Sequence, residues 1–137
     1  MARSRELIQI PTSFITEQRA WPIANESLTQ ELLDLLQQAT RLRKVAKGSN
    51  EVTKCINRNQ AKLVILAADT EPLYLVTHFT RRCEQNDIPY VYVPSKLAMG
   101  RACALATHMS AACITDANSD FADWIQEVKV QMESLFL

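Results

Sequence analysis

Glycine and proline are scarce, two and five in 137 residues, which excludes a collagenous repeat and a low-complexity chain. With so little glycine there is no phosphate-cradling loop: neither G-x-G-x-x-G nor G-x-x-x-x-G-K-[ST] occurs. Histidine is limited to His78 and His108, with no metal-ligand spacing around either. G-x-S-x-G and H-E-x-x-H are both missing, so the sequence reads as neither a hydrolase nor a metalloprotease, and no enzyme, metal or cofactor is expected. Each histidine reads as a surface or satisfied core residue. No apolar run reaches the roughly 18–20 residues needed to span a bilayer, so no membrane partner is expected. MARSRELIQIPTSF, with Glu6 inside its first ten residues, does not read as a signal peptide. The four cysteines, Cys55, Cys83, Cys103 and Cys113, form no C-x-x-C and sit in apolar or helical segments. Buried reduced thiols in the cytosol or nucleus are the expectation.

What is present is an apolar fraction of 47% and a charged fraction of 22%, which suits one folded domain and argues against disorder. Fifteen basic and fifteen acidic residues cancel, but unevenly: residues 41–58 hold Arg41, Arg43, Lys44, Lys47, Lys54 and Arg58 against Glu51. Residues 116–137 hold five acids against Lys129. A basic segment opposed by an acidic helix gives a neutral protein one positive face. A solvated charge run explains the same pattern.

Residues 1–20 show no period and read as an N-terminal extension to a single domain over 21–137. After Pro22, Asn25 or Ser27 can cap a helix with Leu28, Leu32, Leu35, Leu36 and Ala39 on one face. RKVAKG reads as a short strand ending at Gly48, residues 50–58 as a helix, and LVILAA (63–68), lacking alternation, as a strand buried on both faces. Pro72 suits a helix start, the helix running through Leu75, Val76 and Phe79 to Cys83. IPYVYV (88–93) is β-branched and aromatic, hence a strand. Ser95 can cap a helix over 96–106, AACIT (111–115) is the last strand, and Ser119 or Asp120 can cap the last helix. There Phe121, Trp124, Ile125, Val128, Met132, Leu135 and Phe136 fall in one arc about 120° wide, so this helix must dock on a sheet. The alternation predicts an α/β domain with a small, mostly parallel or mixed sheet between helical layers.

Three segments carry side chains suited to a site. In GSNEVTKCINRN (48–59), Asn50, Lys54, Arg58 and Glu51 share one face spanning about 100°, with Val52, Cys55 and Ile56 opposite. Gly48 allows a tight entry, and the open helix start with its Lys/Arg row suits phosphates. Asn and Glu can instead read base edges, and purely electrostatic binding gives no reason for an acid there. An ordinary capped amphipathic helix accounts for the same residues. Asp69 and Glu71 in AADTEP (67–72) sit at a strand end where α/β sheets place ligand loops, but helix capping by Asp69 or Thr70 with Pro72 in the first turn explains them without catalysis. In PSKLAMGRAC (94–103), Lys96 in a first turn opposes the helix dipole and points to an anionic partner, with Arg101 a second basic contact or a surface arginine.

G-S-N-E-V-T-K-C-I-N-R (48–58), L-A-A-D-T-E-P (66–72), I-P-Y-V-Y-V-P-S-K (88–96) and L-A-M-G-R-A-C (97–103) together resemble the kink-turn-binding family of ribosomal-type RNA proteins. The resemblance covers about residues 21–137 and is strongest to the box C/D small nucleolar branch, whose members also serve the spliceosomal tri-snRNP. It implies a three-layer α-β-α sandwich, which with the pattern above predicts a small mixed four-stranded sheet. It further implies that Gly48, Asn50, Glu51, Lys54 and Arg58 lie against tandem sheared G·A pairs, and that Glu71, Leu75 and Lys96 line a pocket for an extruded nucleotide. The partners implied are kink-turn RNA (box C/D snoRNA, with spliceosomal snRNA) and other snoRNP core proteins, among them a fibrillarin-type methyltransferase. The implied location is the nucleus and nucleolus, with a monomer outside the particle. Where that branch continues G-V-S-R-P-V-I, this chain reads Ala104 to Ser110, leaving Thr107 and Ser110 for a basic and a branched apolar contact. Asn59 likewise stands where relatives commonly have glycine. Kink-turn binding with weaker capture of one-stem, looped RNAs is the expectation. A large-subunit ribosomal protein or H/ACA component of the same family is an alternative reading. A protein–protein adaptor using the basic helix is a third.

Overall fold

In the computed structural model the described residues are 20–115 and 119–135. The extension over residues 1–19, the cap expected from the Ser119 or Asp120 side chain, and Phe136 fall outside what is described. The elements run α1 (Glu26–Arg41), β1 (Val45–Lys47), α2 (Ser49–Asn57), β2 (Leu63–Ala67), α3 (Tyr74–Gln85), β3 (Tyr90–Val93), α4 (Lys96–Ala102), β4 (Ala111–Ile114) and α5 (Ser119–Ser134). The strands form one mixed sheet in the order β1-β4-β2-β3. β4 is antiparallel to both β1 and β2, and β2 is parallel to β3. This is the three-layer architecture with a mixed four-stranded sheet that the sequence predicts.

The strand period sorts the core into two clusters. Leu63, Ile65 and Ala67 of β2, with Val91 and Val93 of β3, face α1, α4 and α5 through Leu32, Leu36, Met99, Ile125 and Val128. Val64 and Leu66, with Tyr92 and Cys113, face α2 and α3 through Val52, Ile56, Val76 and Phe79. Every residue of β2 is buried, hence its unbroken apolar run. α5 docks on α1 as well as on the sheet: Glu31 of α1 accepts from Trp124 Nε1 at 3.2 Å and from Gln131 Nε2 at 2.8 Å. The four cysteines are buried free thiols, with Cys55 Sγ and Cys113 Sγ 3.0 Å apart. Burial pushes the Cys83 thiol up to about 12 and raises those of Cys103 and Cys113.

Two sequence expectations need correction. The helix expected over 96–106 ends at Ala102, because Ala104 turns left-handed (φ 61°) and Leu105 N donates back to Gly100 O at 2.8 Å. The cap expected from Asp69 or Thr70 on α3 is not made: α3 starts at Tyr74 behind Leu73 with no side-chain cap, and Pro72 precedes it. Thr70 Oγ1 donates instead to Ala67 O at 2.8 Å, and Asp69 caps a different helix. Asn25 and Ser95 do cap α1 and α4, accepting from Leu28 N and Ala98 N.

Candidate nucleic-acid interface

Because β1, β2 and β3 run one way and β4 the other, the chain segments after Lys47, Ala67 and Val93 and before Ala111 meet at one end of the sheet. These segments carry all ten residues singled out for RNA: Gly48, Asn50, Glu51, Lys54 and Arg58; Glu71 and Leu75; Lys96; Thr107 and Ser110. They are scattered over sixty-three positions of sequence; topology brings most of them to a common edge, while Lys54 and Arg58 follow α2 away from it, Arg58 at the helix end nearest the start of β2.

Backbone hydrogen bonds lock that edge. Gly48 N donates to Ala111 O at 2.9 Å, Ala67 N to Ser110 O at 2.9 Å, and Ala68 N to Val93 O at 2.8 Å. Lys96 is the junction of the rest: its N–H donates to Asp69 Oδ1 at 2.9 Å, and its carbonyl accepts from Met109 N at 3.0 Å. The anion drawn to the start of α4 is therefore Asp69 of this chain, which accounts for part of what Lys96 suggested. Gly100 lets the 104–110 loop close over α4, since a Cβ there would stand 2.0 Å from Thr107 O.

α2 presents the outward face. Gly48 enters it at φ 90°, a conformation that favours glycine, and no side chain caps the helix, so its first-turn N–H groups point outward. Val52, Cys55 and Ile56 are buried as the spacing predicts, while Asn50, Glu51, Lys54 and Arg58 are exposed. Glu51 and Lys54 form an ion pair at 3.4 Å, both side chains 58% exposed, so each holds the other in place at little energetic gain. Asn57 Oδ1 accepts from Arg82 of α3, tying the two helices of this layer side by side. Beyond the edge, Leu75 and Leu97 in the first turns of α3 and α4 are each 45% exposed. Thr107 is exposed and Ser110 half-buried.

Not every basic residue contributes. Lys47 Nζ donates to Cys103 O at 2.8 Å, closing the end of α4 instead of facing solvent beside α2. Arg101 lies over the groove between α1 and α4 with Asp34 and Gln37, away from the edge. The acidic α5 lies in the layer opposite α2, but Arg41 belongs to α1 in that same layer, so of the basic run only Lys54 and Arg58 stand on α2 and its cap. His78 and His108 are both exposed. Among the described residues no group of three or more His, Cys, Asp or Glu is placed to hold a metal ion, and no helix is long and apolar enough to cross a membrane.

Sequence reasoning missed Asp69 as the tie between the 69–72 turn and α4, because capping was sought locally and the bond spans 27 positions. It also passed over Tyr74, which is 68% exposed. Helical phase could have found it: Tyr74 lies about 160° from the inward row of Val76, Phe79 and Cys83.

Residues 30–124 match the ribosomal protein L7Ae/L30e/S12e/Gadd45 family. The 13 kDa ribonucleoprotein-associated protein of Yarrowia lipolytica is 42% identical over 120 residues, covering 87% of this chain and 95% of that protein. The small nuclear ribonucleoprotein associated homolog 13 of Caenorhabditis elegans is 41% identical over 87% of this chain and 94% of its own length. The solved structure of the Giardia lamblia 15.5kD RNA binding protein superposes with a TM-score of 0.81 at 36% identity, over 92% of this chain and 99% of that one. The chain thus belongs to the ribosomal protein L7Ae/L30e/S12e/Gadd45 family.

Proposed function

We propose that this protein recognises kink-turn RNA through tandem sheared G·A pairs and nucleates assembly of a box C/D particle that guides 2′-O-methylation. Its RNA partners are then box C/D snoRNA and a spliceosomal snRNA. Its protein partners are the other snoRNP core proteins, with a fibrillarin-type methyltransferase performing the reaction, in the nucleus and nucleolus. The protein is a monomer before assembly, with residues 21–137 as the RNA-binding domain. The observation that carries this reading is the convergence of four separate segments on one sheet edge beside the uncapped, outward-facing α2. A-form grooves conceal base identity, so a protein reads RNA where non-canonical pairs and extruded bases expose their edges. Asn50, Glu51 and Lys54 supply donor, acceptor and charge for those edges. Gly48 admits the backbone closely, and Arg58 meets phosphate. Glu71, Leu75 and Lys96 then receive an extruded nucleotide at the shared edge. Binding selects the sharply bent form of a flexible RNA.

The test is titration with a kink-turn RNA and with the same RNA whose G·A pairs are changed to Watson–Crick. A loss of at least about 3 kcal/mol on the second is expected when several base contacts vanish together. Equal, salt-sensitive binding to both would leave only a basic face and favour the adaptor. With Thr107 and Ser110 in the loop, a one-stem, looped kink RNA should bind more weakly than the two-stem form. Equal affinity for the two would contradict that part.

A further inference from the structure

Large apolar side chains exposed on the described surface are few, and three of them, Tyr74, Leu75 and Leu97, lie in the first turns of α3 and α4. The turn that leads into α3 is tied to the first turn of α4 through the bond from Lys96 N to Asp69. Tyr74 is the most exposed of the set at 68%. With Tyr74 set at 0° on α3, the buried Val76, Phe79, Thr80 and Cys83 lie at about 140–240°, while Leu75 and Arg82 lie at about 80–100°. The bond from Arg82 to Asn57 identifies that flank as the side facing α2. Tyr74 therefore points away from the sheet on the outer face of the first turn of α3, three positions after Glu71 and next to Leu75, with His78 beside it at about 40°. His78 Nδ1 lies 3.3 Å from Tyr74 O.

A flat, exposed aromatic surface next in sequence to the exposed Leu75 and three positions from Glu71 suits the face of a nucleobase. A phosphate would be repelled by Glu71 and gain nothing from Leu75 or Leu97. We infer that Tyr74 is a stacking platform for a second unpaired nucleotide of the kink-turn loop, beside the one received by Glu71, Leu75 and Lys96. This rests on the RNA reading above and extends it from one extruded base to two. Stacking on an exposed ring tolerates any base, because every base has a π-face. Tyr74 thus adds affinity for loop length more than for loop sequence.

The experiment uses the full chain and a kink-turn RNA with a three-nucleotide loop carrying 2-aminopurine at each loop position in turn. Wild type, Tyr74→Phe and Tyr74→Ala are compared, and the RNA is repeated with its loop cut to one nucleotide. Wild type and Tyr74→Phe should quench two loop positions. Tyr74→Ala should quench one and lose about tenfold or more in affinity for the three-nucleotide loop, with none lost on the shortened RNA. An unchanged melting temperature is expected, since the ring is mostly exposed. Identical binding of every RNA by wild type and Tyr74→Ala would overturn the proposal, as would the same loss on both loop lengths. A protein occupying this face gives the first of those results. Wild-type indifference to the G·A pairs would instead refute the RNA reading itself, and this site with it.

Discussion

Glu51 is the residue at which two physical explanations of the α2 face part company. If the face is only positive, removing a carboxylate that pairs with Lys54 at 3.4 Å frees a cation, and RNA affinity should rise. If Glu51 accepts from base amino or imino groups, Glu51→Ala should cost about 1–3 kcal/mol on a kink-turn RNA. The loss should shrink on the Watson–Crick control. The second outcome is expected, because the ion pair itself is solvent-exposed and contributes little to folding. Gly100 is the residue on which the loop side of the site depends. A methyl group there meets a backbone carbonyl at 2.0 Å, and backbone cannot swing aside as a side-chain tip can. Gly100→Ala should destabilise the protein by about 1–3 kcal/mol in urea unfolding. It should also weaken RNA capture by displacing the segment that hydrogen-bonds the Lys96 carbonyl. Tyr92 offers the opposite sign. Its hydroxyl is buried with no hydrogen-bond partner among the described residues. Tyr92→Phe should leave stability unchanged or raise it by about 1 kcal/mol, whereas a bonded hydroxyl would cost a similar amount on removal.

At the scale of elements, helix faces and the buried strand were legible because period and burial are local consequences of the same side chains. Leu28, Leu32, Leu35, Leu36 and Ala39 on α1, and the unbroken run Leu63–Ala67 on β2, fall where the pattern puts them. Helix ends were less legible: α2 closes within one residue of the expected 58, but α4 stops at Ala102 and not at 106. α1, α2, α3 and α4 each end in the same way, with a left-handed residue one position past the cap: Arg43 (φ 56°), Asn59 (56°), Asp87 (55°) and Ala104 (61°). The following N–H closes the motif in each case, as Lys44 N to Ala39 O at 2.8 Å and Gln60 N to Cys55 O at 3.0 Å illustrate. Glycine is the usual residue there, and with none in these four places no residue type marks the end of α4, expected at 106 and reached at Ala102. Asn59 occupies such a position, and asparagine tolerates it better than most residues. Arg43 and Ala104 do not. Arg43→Gly should therefore stabilise the protein, the relief of left-handed strain exceeding the added unfolded-state entropy by up to about 1 kcal/mol. Thermal melting reads this directly, and a lower melting temperature would mean that Arg43 contributes more through its side chain than its backbone loses. The site was half legible for a related reason. Which residues face outward on α2 follows from phase alone, but the Lys96–Asp69 and Arg82–Asn57 ties span 27 and 25 positions, and no local pattern encodes them.

Across the whole molecule, the two core clusters give the protein different chemical sides. The α2–α3 side buries Cys55, Cys83, Cys113 and Tyr92 in one cluster, with Tyr90 packed against it, while the α1–α4–α5 side buries Cys103 among aliphatic, methionine and Phe121 side chains. Burial raises the thiol of Cys83 to about 12, assisted by the charge of Glu84 and opposed by Arg82. The phenols of Tyr90 and Tyr92 are raised as well, by burial first and for Tyr90 also by its hydrogen bond to Glu84. In the unfolded chain these groups ionise near their ordinary values, about 8.5 for cysteine and about 10 for tyrosine. The folded state binds their protons more tightly, so its advantage is complete below those values. It is lost as pH rises toward the folded ones, when the unfolded chain sheds protons the fold retains. Stability should accordingly be insensitive to these groups between about pH 6 and 8. Above about pH 9 it should fall by as much as about 1.4 kcal/mol per pH unit for each group then ionising only in the unfolded chain. Urea unfolding at a series of pH values reads the slope. Cys83→Ala should make that slope shallower in its first part even if the variant is less stable at neutral pH, because a cavity shifts the whole curve while a missing thiol changes its gradient. An identical gradient in the variant would place the alkaline sensitivity elsewhere, on Cys113 and the two tyrosines of the same side or on Cys103 across the sheet.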